Sequence, residues 1–452
     1  MENKEVENQE TETSGMSRRD FLKVSGAVAG TAAVAGGVTA CVNAAFAKTH
    51  DSIDDMYRVT PAYELYHQRR EMFCRFEWDP QFLPNPAPLV TLDTPGFSQL
   101  DLAAGQAAWA LANGPPNTFG WRSGNEGHFS WFPLGVTRPA PRRWEASEEE
   151  GAHIIKLYAN QSLPNLTHVG ISLLDPRWVY TGWYHRGNRT EGEIVLSNRH
   201  TAPEIAENGT RYIPTSMKYV INMLQSMPYD AGQTSPYAVG GIGAGVGYSS
   251  GVHQVAVMAE FIRGLGYHAI PSVGCTANNV PLGIAAGQGE LGRHGLLISP
   301  YGGARVRSVK VITDMPLALD KPISFGVKEF CMNCKKCADA CPQGAISHGP
   351  PTTNGPSAVS NAHGVEKWYI DPEACRVLWN HHSGIPCMRC VSACAYNKPD
   401  GFWTHDPFGY ALAPVVGGGV MAAIDDWMGY GQLKETRDFW KIDLKKSRGI
   451  NV

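Results

Sequence analysis

The sequence predicts an α+β protein that carries a ferredoxin-like domain toward its C-terminal end. Three observations lead there. Eight of the 11 cysteines crowd between Cys331 and Cys394. Gly251 to Leu265 places Val255, Met258, Ile262 and Leu265 at helical spacing. Two apolar runs, His268–Ile270 and Val306–Thr313, read as short strands around a glycine-dense loop.

The first element is a leader. Ser17-Arg18-Arg19-Asp20-Phe21-Leu22-Lys23 precedes a weakly apolar stretch, Val24 to Ala45, that ends in Ala45-Phe46-Ala47. Twin arginines, a Gly/Ala-rich segment and an A-x-A site together read as a twin-arginine export signal. Cleavage after Ala47 starts the mature chain at Lys48 and removes Cys41. The Tat export machinery is therefore an expected partner. That route carries folded cargo, which suits a protein whose cofactors are inserted first. Beyond the leader no apolar run approaches the ~18 residues of a spanning helix.

Residues 48–90 mix charges with aromatics and four prolines (Pro80, Pro84, Pro86, Pro88) and are expected to wrap a surface. Gln99 to Trp144 reads as loop, rich in proline around Trp121 and Trp131. Glu148 to Ser162 reads as a helix, and Ser216 to Gln225 also shows helical spacing. Pro228 to Gly247 reads as a Gly/Pro-rich loop, with Ser249 and Ser250 as N-cap candidates for the helix behind it and Gly266 as its stop. The glycine-dense loop, Gly287 to Ile298, lets backbone approach a bulky cofactor at Gly287, Gly289, Gly292 and Gly295. It fails as a dinucleotide fingerprint, because its G-x-G-x-x-G feeds an apolar run and not a helix.

Net charge is −3 and no basic stripe is present, so nucleic acid is not an expected partner. Twelve Trp, 17 Tyr and 15 Phe exceed the needs of a bare electron carrier and permit an aromatic-walled pocket.

The cysteines specify the redox centre. Cys331-x2-Cys334-x2-Cys337-x3-Cys341-Pro342 has the spacing of bacterial ferredoxins, in which the fourth cysteine ligates the other cluster. Cys375-x11-Cys387-x2-Cys390-x3-Cys394 follows. Two [4Fe–4S] clusters result: cluster 1 on Cys331, Cys334, Cys337 and Cys394, and cluster 2 on Cys341, Cys375, Cys387 and Cys390. Zinc ribbons pair two C-x2-C knuckles without the third cysteine and the Cys-Pro tail. Cys74 and Cys275 are left over, and His381, His382 and His405 are expected to pack rather than ligate.

The leader, GLGYHAIPS, the block GQGELGRHGLLISPYGGARVRSVKVITDMPL and the two cysteine motifs together resemble the corrinoid-dependent reductive dehalogenases. The cytosolic epoxyqueuosine reductases are similar in the same block but lack an export signal. The resemblance implies a nitroreductase-like α/β core holding one cobamide, base-off. In agreement, the D-x-H-x-x-G cobalt-ligand motif is absent. It implies Tyr248 as proton donor and Arg307 as its electrostatic partner, whereas strand alternation alone leaves Arg305 and Arg307 on one face. Trp379 is implied as either substrate wall or cluster packing. Where some members carry an asparagine near the substrate, this chain has Gly274-Cys275-Thr276, with Asn278 and Asn279 displaced.

The implied organisation is a signal peptide at 1–47 and an N-terminal contribution to core and channel at 48–210. The cobamide core follows at 211–320, the cluster domain at 321–405, and a segment packing back on the core at 406–452. The implied activity is reductive dehalogenation of a small halogenated organic substrate, by hydrogenolysis or vicinal elimination. It would act on the outer face of the cytoplasmic membrane, beside a small integral-membrane anchor protein. The alternatives are an exported iron–sulfur subunit of a larger oxidoreductase, and a cobamide reductase with a non-halogenated substrate.

Overall fold

Strand Tyr219–Ser226 organises the molecule, and seven of its eight residues are buried. The structure, a computed structural model, describes residues 47–84, 86–113, 139–185, 189–357, 359–399 and 418–443. In chain order its strands are β1 (Lys48–Thr49), β2 (Leu166–Leu173), β3 (Gly182–His185), β4 (Thr190–Ser197), β5 (Glu204–Ile205) and β6 (Arg211–Pro214). Then come β7 (Tyr219–Ser226), β8 (Ala269–Ser272), β9 (Glu290–Leu291), β10 (Leu297–Ile298), β11 (Val306–Thr313) and β12 (Ile323–Ser324). The helices of seven residues or more are α1 (Met72–Trp78), α2 (Gln99–Ala107), α3 (Glu148–Ser162) and α4 (Gly241–Gly264). They continue with α5 (Asn279–Ala285), α6 (Val327–Asn333), α7 (Pro372–His381) and α8 (Gly418–Trp427).

The central sheet runs β2-β7-β11-β8, antiparallel throughout. Burial on both faces explains why Ser216–Gln225 misleads as a helix. A strand covered on both sides has no polar face, so the period-2 alternation disappears. Its two amides are anchored inside: Asn222 donates to Ser172 Oγ at 3.1 Å and Gln225 to the Gly247 carbonyl at 3.1 Å.

Two cores flank this sheet. On one side, Ile155 and Ala159 of α3 and Val252, Val255, Met258 and Ile262 of α4 pack on Val169, Ile221, Met223, Val309 and Val311. On the other, Val220, Leu224, Ile270 and Ile312 meet Leu282 and Ile284 of α5 and Trp183, Ile194 and Ile213 of a second sheet, ordered β3-β4-β6-β5. The helix expected at 148–162 forms, capped by Ser147 and led by Glu148, Glu149 and Glu150 at the positive end of its dipole.

Two regions read as loop are helical. Ser98 and Asp101 close a capping box that starts α2. The stretch 241–247 forms the first turns of α4, so Ser249 and Ser250 lie inside that helix and are not its caps. Gly266, at φ +85°, does end it. Glycine opposes helix by about 1 kcal/mol per residue, so the sequence argues against these turns and tertiary contact overrides it.

Residues 48–90 wrap as expected. β1 pairs with β12, and Val59 bridges Val365. The body from Ala47 onward forms one compact unit. In the described part of 406–452, Gly418 at the start of α8 abuts the Phe330 carbonyl, and buried Asp425 pairs with Lys336 and Lys398. That segment therefore packs on the cysteine-bearing half, and its later residues reach α2, where Trp440 Nε1 donates to Asp101 at 2.7 Å. No helix among the described residues is long and apolar enough to cross a membrane. The leader and His405 lie outside the described residues.

Candidate redox and proton-transfer site

The eight cysteines sort into two electrostatic neighbourhoods. Cys331, Cys334 and Cys394 act on one another, and Cys337 acts with all three. Cys375 acts with Cys387 and Cys341, and Cys390 acts with those three. The quartets meet where Cys337 faces Cys390. Cys341 and Cys394 each lie among the sulfurs of the other motif.

Burial, then the neighbouring sulfurs, pushes the Cys375 thiol up to about 12, and burial raises Cys331 to about 12. Iron must therefore displace protons from these sulfurs as it binds. No three His, Cys, Asp or Glu side chains among the described residues gather closely enough for a single metal ion. A four-iron cube spreads its ligands more widely. The donors aimed at sulfur also suit a cluster: Ala345 N–H to Cys341 Sγ at 3.3 Å, Arg389 N–H to Cys387 Sγ at 3.4 Å, and Ser235 Oγ–H to Cys387 Sγ at 3.7 Å.

The loop that carries Cys387 lies on the first turns of α4. A Cβ on Gly241 would fall 2.8 Å from Ile385, and one on Gly243 would fall 2.4 Å from Met388 Sδ. Further along the helix, one on Gly245 would meet the Trp109 ring at 2.7 Å and one on Gly247 would meet Arg307 Cγ at 2.7 Å. The glycines thus bring the cluster loop, an indole and a guanidinium against a single helix.

Tyr248 follows directly. Arg307 Nη1 donates to Tyr248 Oη at 3.3 Å, and its guanidinium lies 4.6 Å from the phenol ring centre. The Trp109 ring packs against the same phenol at 5.0 Å and donates Nε1–H to the Gly241 carbonyl at 3.2 Å. Arg305 is committed elsewhere, to the Met227 and Lys398 carbonyls, and is 1% exposed. Geometry thus pairs Arg307 with Tyr248, the choice that strand alternation leaves open.

Gln225 stands opposite Arg307 across the β7–β11 ladder. Gln225 Oε1 and Arg307 Nε are both buried without a hydrogen-bond partner, as are Ser308 Oγ and Thr276 Oγ1. Gln225 and Arg307 share the α4 face of the sheet, and that acceptor and donor together fit a ligand rimmed with amides, which supplies both.

The remaining expected residues divide. A Cβ on Gly287 would lie 2.6 Å from the Lys321 carbonyl oxygen, and one on Gly289 2.1 Å from that of Ile298. One on Gly292 would lie 2.7 Å from Ile298 Cδ1, and one on Gly295 3.5 Å from Ile370. The close approaches at all four are to the chain itself. Trp379 stacks edge-on against Phe73 at 5.5 Å, with its Nε1 buried and unpartnered. Asn279 is fully engaged: it donates to the Val273 and Ser308 carbonyls and accepts from Lys310 Nζ at 2.5 Å. Desolvation draws that buried lysine down to about 8. His382 Nδ1–H donates to the Pro236 carbonyl at 3.1 Å, as a packing residue.

Trp109 and Gln225 escape a reading of the sequence alone. Trp109 lies inside a stretch that reads as loop, and Gln225 sits in a strand that reads as helix. The spacing of glycines in 241–251, alternating and then four apart, is the available signal for a crowded helix face.

The twin-arginine translocation signal family matches residues 15–35, and the 4Fe-4S dicluster domain family matches residues 330–398. A tetrachloroethene reductive dehalogenase of Desulfitobacterium hafniense is 34% identical over 366 residues, covering 74% of this chain and 65% of that protein. Another, from Sulfurospirillum multivorans, is 32% identical over 69% of this chain and 62% of its own length. A solved reductive dehalogenase, described as suggesting a mechanism for B12-dependent dehalogenation, superposes with a TM-score of 0.56 at 21% identity. That match covers 85% of this chain and 49% of the other. The chain thus spans just under two thirds of these curated relatives and about half of the solved one.

Proposed function

This chain belongs among the reductive dehalogenases, and from that premise we propose that it reduces a small halogenated organic substrate with electrons relayed through two [4Fe–4S] clusters. The overall change is R–X + 2 e⁻ + H⁺ → R–H + X⁻, or loss of two vicinal halides. The observation that carries the reading is Tyr248, held between Trp109 and Arg307 on the helix that meets the cluster 2 loop.

A corrinoid, when bound, supplies the low-potential reductant for the carbon–halogen bond. The unpartnered Gln225 and Arg307 atoms, neighbours on the α4 face of the sheet, are groups on this chain that would meet its amide rim. Tyr248 gives its proton to the carbon that has lost halide. A free phenol has a pKa of ~10, so its anion needs stabilisation at neutral pH. Arg307 provides it through the same hydrogen bond that orients the hydroxyl. The Trp109 ring covers one side of the phenol, keeps water from it and leaves room for an apolar substrate. Trp379 and Phe73 form a second aromatic surface suited to such a ligand.

Electrons reach this site through cluster 2, whose loop touches α4, after entering at cluster 1. The twin-arginine signal marks the chain for export. A small integral-membrane protein would then hold it at the outer face of the membrane.

Anaerobically purified protein should yield about one corrinoid per chain on acid extraction, and about eight irons. It should release halide from chlorinated ethenes, ethanes or aromatics with reduced viologen. Iron without corrinoid would leave the electron-transfer subunit standing. Corrinoid without halide release from the panel would favour a reductase of a different substrate.

A further inference from the structure

We propose that Arg293 is a positioning residue for cluster 1, whose buried guanidinium pins the ligand loop and raises the reduction potential of the cluster. The inference rests on the assignment of Cys331, Cys334, Cys337 and Cys394 to one cluster. It is independent of the corrinoid.

Arg293 belongs to the glycine-dense turn between β9 and β10, yet it turns away from the turn and into the cysteine domain. It is 1% exposed. Its Nη2 donates to the Cys331 carbonyl at 2.6 Å and to that of Met332 at 3.4 Å. Nε is shared between the Cys331 and Cys334 carbonyls at 3.1 Å each. Nη1 reaches the Ser347 carbonyl at 2.6 Å and that of Gly349 at 3.0 Å. The guanidinium lies over Trp368 at 4.9 Å, and that indole in turn donates to Gly349 at 3.0 Å. One side chain therefore spans the two ends of the loop that presents the first cysteines.

These partners are neutral carbonyls, and no carboxylate among the described residues pairs with Arg293. Two buried lysines of the region differ. Lys336 pairs with Asp425 and with Asp426, and Lys398 pairs with Asp425. A buried charge without a counter-ion is costly, so a negative group must compensate it. A four-iron cluster with four thiolates is that group, since it is anionic and becomes more so on gaining an electron. Because Arg293 favours the more negative state, its charge draws the cluster potential upward. The step is a single electron from an external donor, and no bond is formed or broken.

The test is an electron-paramagnetic-resonance redox titration of anaerobic holoprotein, for wild type, Arg293→Met and Arg293→Lys, with iron counted in each. With both clusters retained, Arg293→Met should lower the midpoint of one cluster and leave the other in place, and Arg293→Lys should restore most of the shift. Loss of one cluster from Arg293→Met but not from Arg293→Lys would equally show that the charge is what the loop requires. Unmoved midpoints in both variants would overturn the proposal. So would loss of the cluster from both, or from Arg293→Lys alone, because the side chain would then matter only for its shape. Eight irons and two signals in the wild type would keep the dicluster assignment standing through any of these failures.

Discussion

At the level of single residues, the proposed reaction makes a unit of the Tyr248 phenol and the Arg307 guanidinium that touches it. Tyr248→Phe should bind corrinoid and iron normally and lose at least ~100-fold in viologen-driven turnover, the scale of a general acid. Arg307→Lys should lose a comparable factor, since a point charge cannot both stack on the phenol and aim a donor at its oxygen. Normal turnover in Tyr248→Phe would remove the assignment. His168 gives a pH signature. Burial pulls its imidazole down to about 4 from 6.5, with Nδ1 unpartnered and Tyr301 stacked at 3.9 Å. Between those values the unfolded chain binds a proton that the folded chain refuses, so stability falls as pH falls. His294, equally buried, is drawn down to about 4 as well, so in denaturant unfolding of holoprotein His168→Phe should remove about 2 kcal/mol of the stability lost between pH 7 and pH 5, with the remainder persisting. The cysteines were fully legible in the sequence, because cluster ligation fixes spacing. Tyr248 and Arg307 came from resemblance, and distance now joins them. Trp109 was invisible, since an indole that covers a phenol leaves no local pattern.

Among elements, α4 departs furthest from what its composition announces. Glycines at 241, 243, 245 and 247 read as loop by propensity, yet each admits a neighbour that a side chain would exclude. Gly247→Ala tests this with opposed effects. Alanine favours an isolated helix by about 1 kcal/mol, but here its Cβ would sit 2.7 Å from Arg307 Cγ. Turnover should fall by about 100-fold, the scale of an ångström's misplacement, while iron content stays unchanged. Strand β7 teaches the complementary lesson. Its run of apolar residues carries no period, because both faces are covered, and a window of that kind cannot tell strand from helix. The helix at 148–162 and the strand at 306–313 were legible to the residue, since each keeps one clear structural signature.

For the whole molecule, the division into sheet-bearing and cysteine-bearing halves was readable, whereas the stitching between them was not. Arg293 crosses from one to the other, and Asp425 ties α8 to two lysines of the cluster segment. Such links join residues far apart in sequence and leave no mark in any local window. Cys375→Ser should reduce iron from about eight per chain to about four, with the cluster 1 signal persisting in spectra of the dithionite-reduced protein. The opening turns of α4 have a consequence for biogenesis. Their own preference is to stay unwound, and they gain order from Ile385 and Met388, which flank a cluster ligand. A polypeptide that has not yet received its iron therefore has no firm seat for its acid tyrosine. The expected order of maturation is therefore iron first, the seating of Tyr248 second and passage across the membrane last, as the twin-arginine signal suits.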